Sequence, residues 1–133
     1  MKKLVTGLAV VLMVTVVVQF FLAAAGAFDS APAEEAFAPH RALGNIILVL
    51  ALVVALVAAV ARMPARVAGT AGLVAALVLV QSVIKEVAGA VGDDTGALLF
   101  GVHGVNGMLI VGTVGALLRQ ARGQSAPAAR PVS

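Results

Sequence analysis

The chain has 133 residues, of which 62% are apolar and 11% charged, with a formal net charge of +3 and a mean hydropathy of +1.11. A soluble domain of this length cannot bury that much apolar surface, so the composition excludes the ordinary water-soluble classes and points to a bilayer. Cysteine, tryptophan and tyrosine are absent, which excludes disulfides and thiolate metal sites and removes the usual aromatic belt residues.

A spanning helix needs about 20 predominantly apolar residues, and four segments qualify, at about 4–28, 38–61, 67–91 and 97–119. The first, beginning MKKLVTGLAVV and ending LAAAGAF, also resembles a secretory signal with a small-residue cleavage site. Its apolar run is long for a signal, and a repeat described below gives it a partner, so it is expected to stay as a span. FDSAPAEEAFAP separates the first two spans, RMPAR the second and third, and GDDTG the last two. Such turn-rich punctuation leaves short connections and no soluble domain. Residues 1–122 are expected to form the transmembrane domain. Residues 123–133, rich in Ala, Pro and Arg, are expected to be a disordered cytoplasmic tail.

Charge orders these segments across the bilayer. Lys2, Lys3, Arg62, Arg66, Arg119, Arg122 and Arg130 lie at the N-terminus, in the second loop or near the C-terminus. The six acids Asp29, Glu34, Glu35, Glu86, Asp93 and Asp94 lie in or beside the first and third loops. By the positive-inside rule, both termini face the cytoplasm and the first and third loops face outward. The basic residues thus set topology, and the pI near 10.2 does not indicate nucleic acid. The expected fold is an all-α, up-down-up-down four-helix membrane bundle in the plasma membrane. Its second and fourth spans then face each other across one diagonal.

The polar residues inside the spans carry an internal repeat. FAPHRALG (37–44) and FGVHGVNG (100–107) both read Phe-x-x-His-x-x-x-Gly. Gln19 lies 21 residues before His40, and Gln81 lies 22 residues before His103. Each half therefore reads as a span with Gln, an outer loop, and a span with His, which suggests a duplicated helical hairpin.

Intramembrane polar residues are functional-site candidates, and these are the only two histidines in the chain. Two neutral imidazoles converging from diagonal helices are what bis-histidine ligation of a b-type haem requires. Gly44 and Gly107 lie four residues beyond each His, hence on its helix face, and clear space for a flat macrocycle. Arg41, with Lys85, lies toward the outer surface, where propionates need cations. Gln19, Gln81 or Asn106 is placed to fix a ligand tautomer. The bland alternative is that His, Gln and Asn only bond helix to helix, and that Gly101, Gly104, Gly107, Gly112 and Gly115 only admit close packing. No nucleophile triad, phosphate loop or concentrated metal-ligand spacing is present in the sequence.

QFFLAAAGAF, FAPHRALG, LVLVQSVIKE and FGVHGVNG together resemble a family of small, uncharacterised four-helix membrane proteins of actinobacteria. The similarity runs to about Arg122 and implies topology without an activity. A looser resemblance is to one half of haem A synthase, in which a His-Arg opening the second helix (His40-Arg41) and a His in the fourth (His103) face a haem. That resemblance implies haem binding through His40 and His103. It does not carry catalysis, because the catalytic glutamate of that family has no counterpart at the required spacing. The sequence thus suggests an electron-transfer or haem-handling protein, with a cofactor-free subunit of a membrane complex as the alternative. Its partners are the lipid bilayer and, beyond it, another membrane protein or a second copy.

Overall fold

The computed structural model describes residues 1–125, so the expected tail lies mostly outside the described residues. The chain forms four long helices, α1 (Lys2–Ala27), α3 (Ala38–Val60), α4 (Ala65–Ala90) and α5 (Asp93–Ser125), with a single-turn helix α2 (Ala33–Ala36) between the first two. All four long helices are long and apolar enough to cross a membrane.

The connections follow from local chemistry. The Asp29 carboxylate accepts from the Ala31 amide at 2.9 Å, an Asx turn that bends the chain out of α1. Pro32 caps α2, and Pro39 sits in the first turn of α3, where a missing N–H costs nothing. At the other end of α3, Arg62 takes a left-handed conformation (φ 52°). Its N–H bonds the Ala59 carbonyl and the Met63 N–H bonds the Ala58 carbonyl, the paired bonds of a Schellman stop. Met63 is 7% exposed, supplying the apolar contact of that motif, and Pro64 then caps α4. Between α4 and α5, Gly92 (φ 85°) makes the turn that an L side chain disfavours.

Short connections make sequential helices antiparallel neighbours. Helix α1 packs on α3 and α5, and α4 packs on the same two, so α1/α4 and α3/α5 form the diagonals. This is the expected up-down-up-down bundle.

Its core shows the duplication more fully than the sequence motifs do. On α3 the buried apolar side chains are Ile47, Ala51, Val54 and Ala58, and on α5 they are Ile110, Val114, Leu117 and Ala121. Each pair is 63 positions apart (47 to 110, 51 to 114, 54 to 117, 58 to 121). Val5, Ala9 and Leu12 of α1 match Val67, Ala71 and Val74 of α4 at a spacing of 62. All these positions recur every three or four residues, the stripe of a helix facing a bundle axis. The apolar core ends at Val16, Ile47, Ala75 and Ile110. Beyond it, toward α2 and the α4–α5 turn, the inward stripes carry Gln19, His40, Gln81, His103 and Asn106.

Candidate functional site

Each hairpin places its Gln, His and Gly together. A Cβ added at Gly44 would lie 3.3 Å from Gln19 Nε2. One added at Gly107 would lie 3.2 Å from Phe20 Cζ and 3.6 Å from Gln81 Nε2. The glycines thus clear space for the glutamine amides of the preceding span. The space expected for a macrocycle is taken by the Gln19 amide at Gly44 and by the Phe20 ring and the Gln81 amide at Gly107. Gly101, Gly104 and Gly112 have nothing within 4 Å of an added Cβ, so they do not serve close helix approach within the chain.

Gln19 holds His40 at three points. The Gln19 amide donates to the His40 carbonyl at 2.9 Å and lies 3.3 Å from His40 Nε2. His40 Nδ1 lies 3.1 Å from the Gln19 main-chain carbonyl. A carbonyl only accepts, so Nδ1 carries the proton and Nε2 of the neutral ring receives the Gln19 amide. The contacts therefore assign the tautomer. The amide orientation is fixed as well, because its oxygen could not face the His40 carbonyl.

The second hairpin departs from this pattern. The Asn106 amide, 5% exposed, donates to Gln81 Oε1 at 2.8 Å and to the Leu77 carbonyl at 2.9 Å. The first hairpin has Leu43 at the equivalent place. The Gln81 side chain is thus tied to Asn106, and His103 is left with the Gln81 main chain as the polar neighbour of its ring, its buried Nδ1 making no hydrogen bond of good geometry. Gln19 Oε1 is the other buried side-chain atom left unpaired among the described residues. Buried polar atoms are almost always bonded, and an exception marks a strained or functional place.

The two imidazoles meet across the diagonal, with ring centroids 6.3 Å apart and planes inclined at 46°. Each rests on the phenylalanine three residues before it. Phe100 stacks on His103 at 5.0 Å with planes 2° apart, and Phe37 meets His40 edge-on at 6.2 Å. These two rings were visible in the Phe-x-x-His repeat but had no assigned role, because spacing alone does not say which side chain supports which. Among the described residues, no group of three or more His, Cys, Asp or Glu converges.

The expected cations lie further out. The Arg41 guanidinium donates to the Glu34 carbonyl and so pins α2 over the end of the bundle. Lys85 pairs with the adjacent Glu86 at 2.8 Å, both exposed. No curated protein and no solved structure matches the chain. The model of a family of unknown function, DUF6220, matches residues 19–88, a stretch that opens on Gln19 and takes in His40, Gly44 and Gln81. The chain belongs to that family.

Proposed function

We propose that the protein binds one b-type haem between His40 and His103 in the outer half of the membrane, and serves in electron transfer or haem handling. The carrying observation is the convergence of the two imidazoles at 6.3 Å. Two opposed imidazoles bound to one metal at about 2 Å per bond stand roughly 6 Å apart at their centroids. A second support is the His40 tautomer. Histidine ligands usually give their other ring N–H to a carbonyl or carboxylate, and His40 Nδ1 already has the Gln19 carbonyl. Its Nε2 is held only by the longer amide contact at 3.3 Å.

When bound, the haem supplies one-electron chemistry. The residues of the chain hold the rings, set the tautomer and keep the surroundings apolar. His40 and His103 would together hold the group, and with two protein ligands it would serve electron transfer rather than substrate chemistry. The reading puts the chain in the plasma membrane, and the charge distribution supports cytoplasmic termini. The test is the absorption spectrum of the detergent-solubilised chain after haem addition. A six-coordinate low-spin spectrum, lost in both His40→Ala and His103→Ala, is expected. A protein that stays colourless with haem present overturns the reading.

The hydrogen bonds of Gln81 to Asn106 and of Gln19 to His40 favour a second reading. There the polar residues join helices in a cofactor-free subunit of a membrane complex. That reading predicts the colourless outcome.

A further inference from the structure

The lipid-facing side of a membrane helix asks only for apolar residues, so the exposed Val and Leu side chains of the bundle need no protein partner. An exposed amide is different. Asn45 stands seven residues into α3 from Ala38, about 10 Å along the helix, and its side chain is exposed. That depth lies within the apolar stretch, and an asparagine side chain is too short to reach the surface from it. Among the described residues Asn45 makes no hydrogen bond, whereas Asn106 on the core face of α5 makes two. A lone polar group in hydrocarbon is costly, so this amide calls for a partner outside the chain.

The residues around it form a regular seam. Ala42, Asn45, Val49, Leu52, Leu56 and Ala59 are all exposed and follow one another in alternating steps of three and four. Asn45, Val49, Leu52 and Leu56 each stand two positions before a buried residue of the core, about 200° round the helix from it. The seam therefore points away from the bundle axis. Two copies of a helix with this period cross at a shallow left-handed angle and interlock along their length. Val49 followed three residues later by Leu52 is the combination that favours two strands. From Ala42 to Ala59 the helix carries no ionisable residue, so pairing buries no charge. A groove lined by Val11, Ile46, Val49, Leu50 and Val53 flanks Asn45 on the α1 side and can seat side chains of a facing helix.

We propose that this face of α3 is a dimer interface, in which two copies of the chain pair their α3 helices in parallel and bond Asn45 to Asn45. A second copy fits because an amide both donates and accepts, and because a two-fold axis along the helices sets each seam position against itself. The other half of the repeat does not carry the same surface. At the matching positions 63 residues on, α5 has Val105, Met108, Gly112, Gly115 and Arg119. One seam per chain closes a pair and does not extend into an array. His40 lies seven residues before the buried Ile47, on the opposite side of α3, so the interface is independent of what sits between the histidines.

The test uses the full chain in phosphatidylcholine vesicles, with donor- and acceptor-labelled chains mixed over a range of protein-to-lipid ratios. Energy transfer that follows a monomer–dimer curve is expected for the wild type. Asn45→Leu, which removes no hydrogen bond within the chain, is expected to weaken the pair at least about fivefold. Met108→Leu, at the matching position of α5, is expected to leave it unchanged. In a chain without natural cysteines, Val49→Cys and Leu52→Cys are expected to crosslink two copies on mild oxidation, and Met108→Cys is expected not to. A wild type that stays monomeric across the range overturns the proposal. So does an Asn45→Leu dimer as tight as the wild type, or crosslinking through Met108→Cys in place of Val49→Cys. A chain that is monomeric in vesicles but crosslinks through Val49→Cys to a different protein in cells also overturns it, and gives the face to another subunit of a complex.

Discussion

Leu43 and Asn106 occupy the same position of the repeated hairpin, and only Asn106 carries an amide, bonded to Gln81 at 2.8 Å. Removing it as Asn106→Leu takes away two helix-linking hydrogen bonds and strands Gln81 Oε1. Side-chain hydrogen bonds between membrane helices are worth about 0.6 kcal/mol on average and up to about 1.7. A loss of roughly 1–2 kcal/mol is expected, read from unfolding in mixed micelles. The reverse change, Leu43→Asn, offers Gln19 a competing partner and is expected to loosen its hold on His40.

The matched core positions give a paired test. Leu117 is fully buried and Leu98 is 78% exposed on the same helix. Leu117→Ala leaves a cavity at the bundle axis, at a cost of about 2–4 kcal/mol. Leu98→Ala is expected to change stability by less than about 0.5 kcal/mol. Val54→Ala, at the position matching Leu117, is expected to fall between them, because it deletes less volume. The same mixed-micelle unfolding curves decide all three.

Glycine substitutions separate real contacts from incidental ones. A Cβ at Gly26 would stand 2.9 Å from the Ala36 carbonyl oxygen and 3.0 Å from Phe37 Cδ1, against main chain that cannot swing away. Gly26→Ala is expected to lower the thermal midpoint and to release α2. Gly101→Ala meets nothing within 4 Å and is expected to leave the midpoint unchanged. Gly44→Ala crowds Gln19 Nε2 at 3.3 Å. It is expected to disturb the His40 tautomer more than global stability.

Orientation is checked with single cysteines, since the natural chain has none. Ser30→Cys and Asp94→Cys are expected to react with an impermeant maleimide on intact cells. Pro64→Cys is expected to react only after permeabilisation. The opposite pattern would invert the topology, and with it the outward placement of the histidines.

Much of the bundle was legible in the sequence because the signals are strong and local. Long apolar runs, turn-rich breaks and the Phe-x-x-His-x-x-x-Gly repeat fix four helices, their connectivity and the diagonal that joins His40 to His103. Helix ends were less legible. Asp93 and Asp94 read as a turn, yet α5 begins at Asp93, since acidic residues are at home in a first helical turn. Partner choice within the site was not legible either. Gln19 and Gln81 sit at equivalent positions and only their neighbours, Leu43 and Asn106, decide where each amide goes. Four-residue spacing put Gly44 and Gly107 on the histidine faces, but only packing shows a glutamine amide against each.

The diagonal arrangement has a consequence for the shape of any ligand. With α1 across from α4 and α3 across from α5, a half-turn about the bundle axis carries one hairpin onto the other. Whatever lies between His40 and His103 sits near that axis and meets a similar pair on its two sides: an imidazole and the phenylalanine three residues before it. Such a place suits a molecule with two equivalent faces better than a one-sided one. Leu43 and Asn106 then mark where that equivalence is broken.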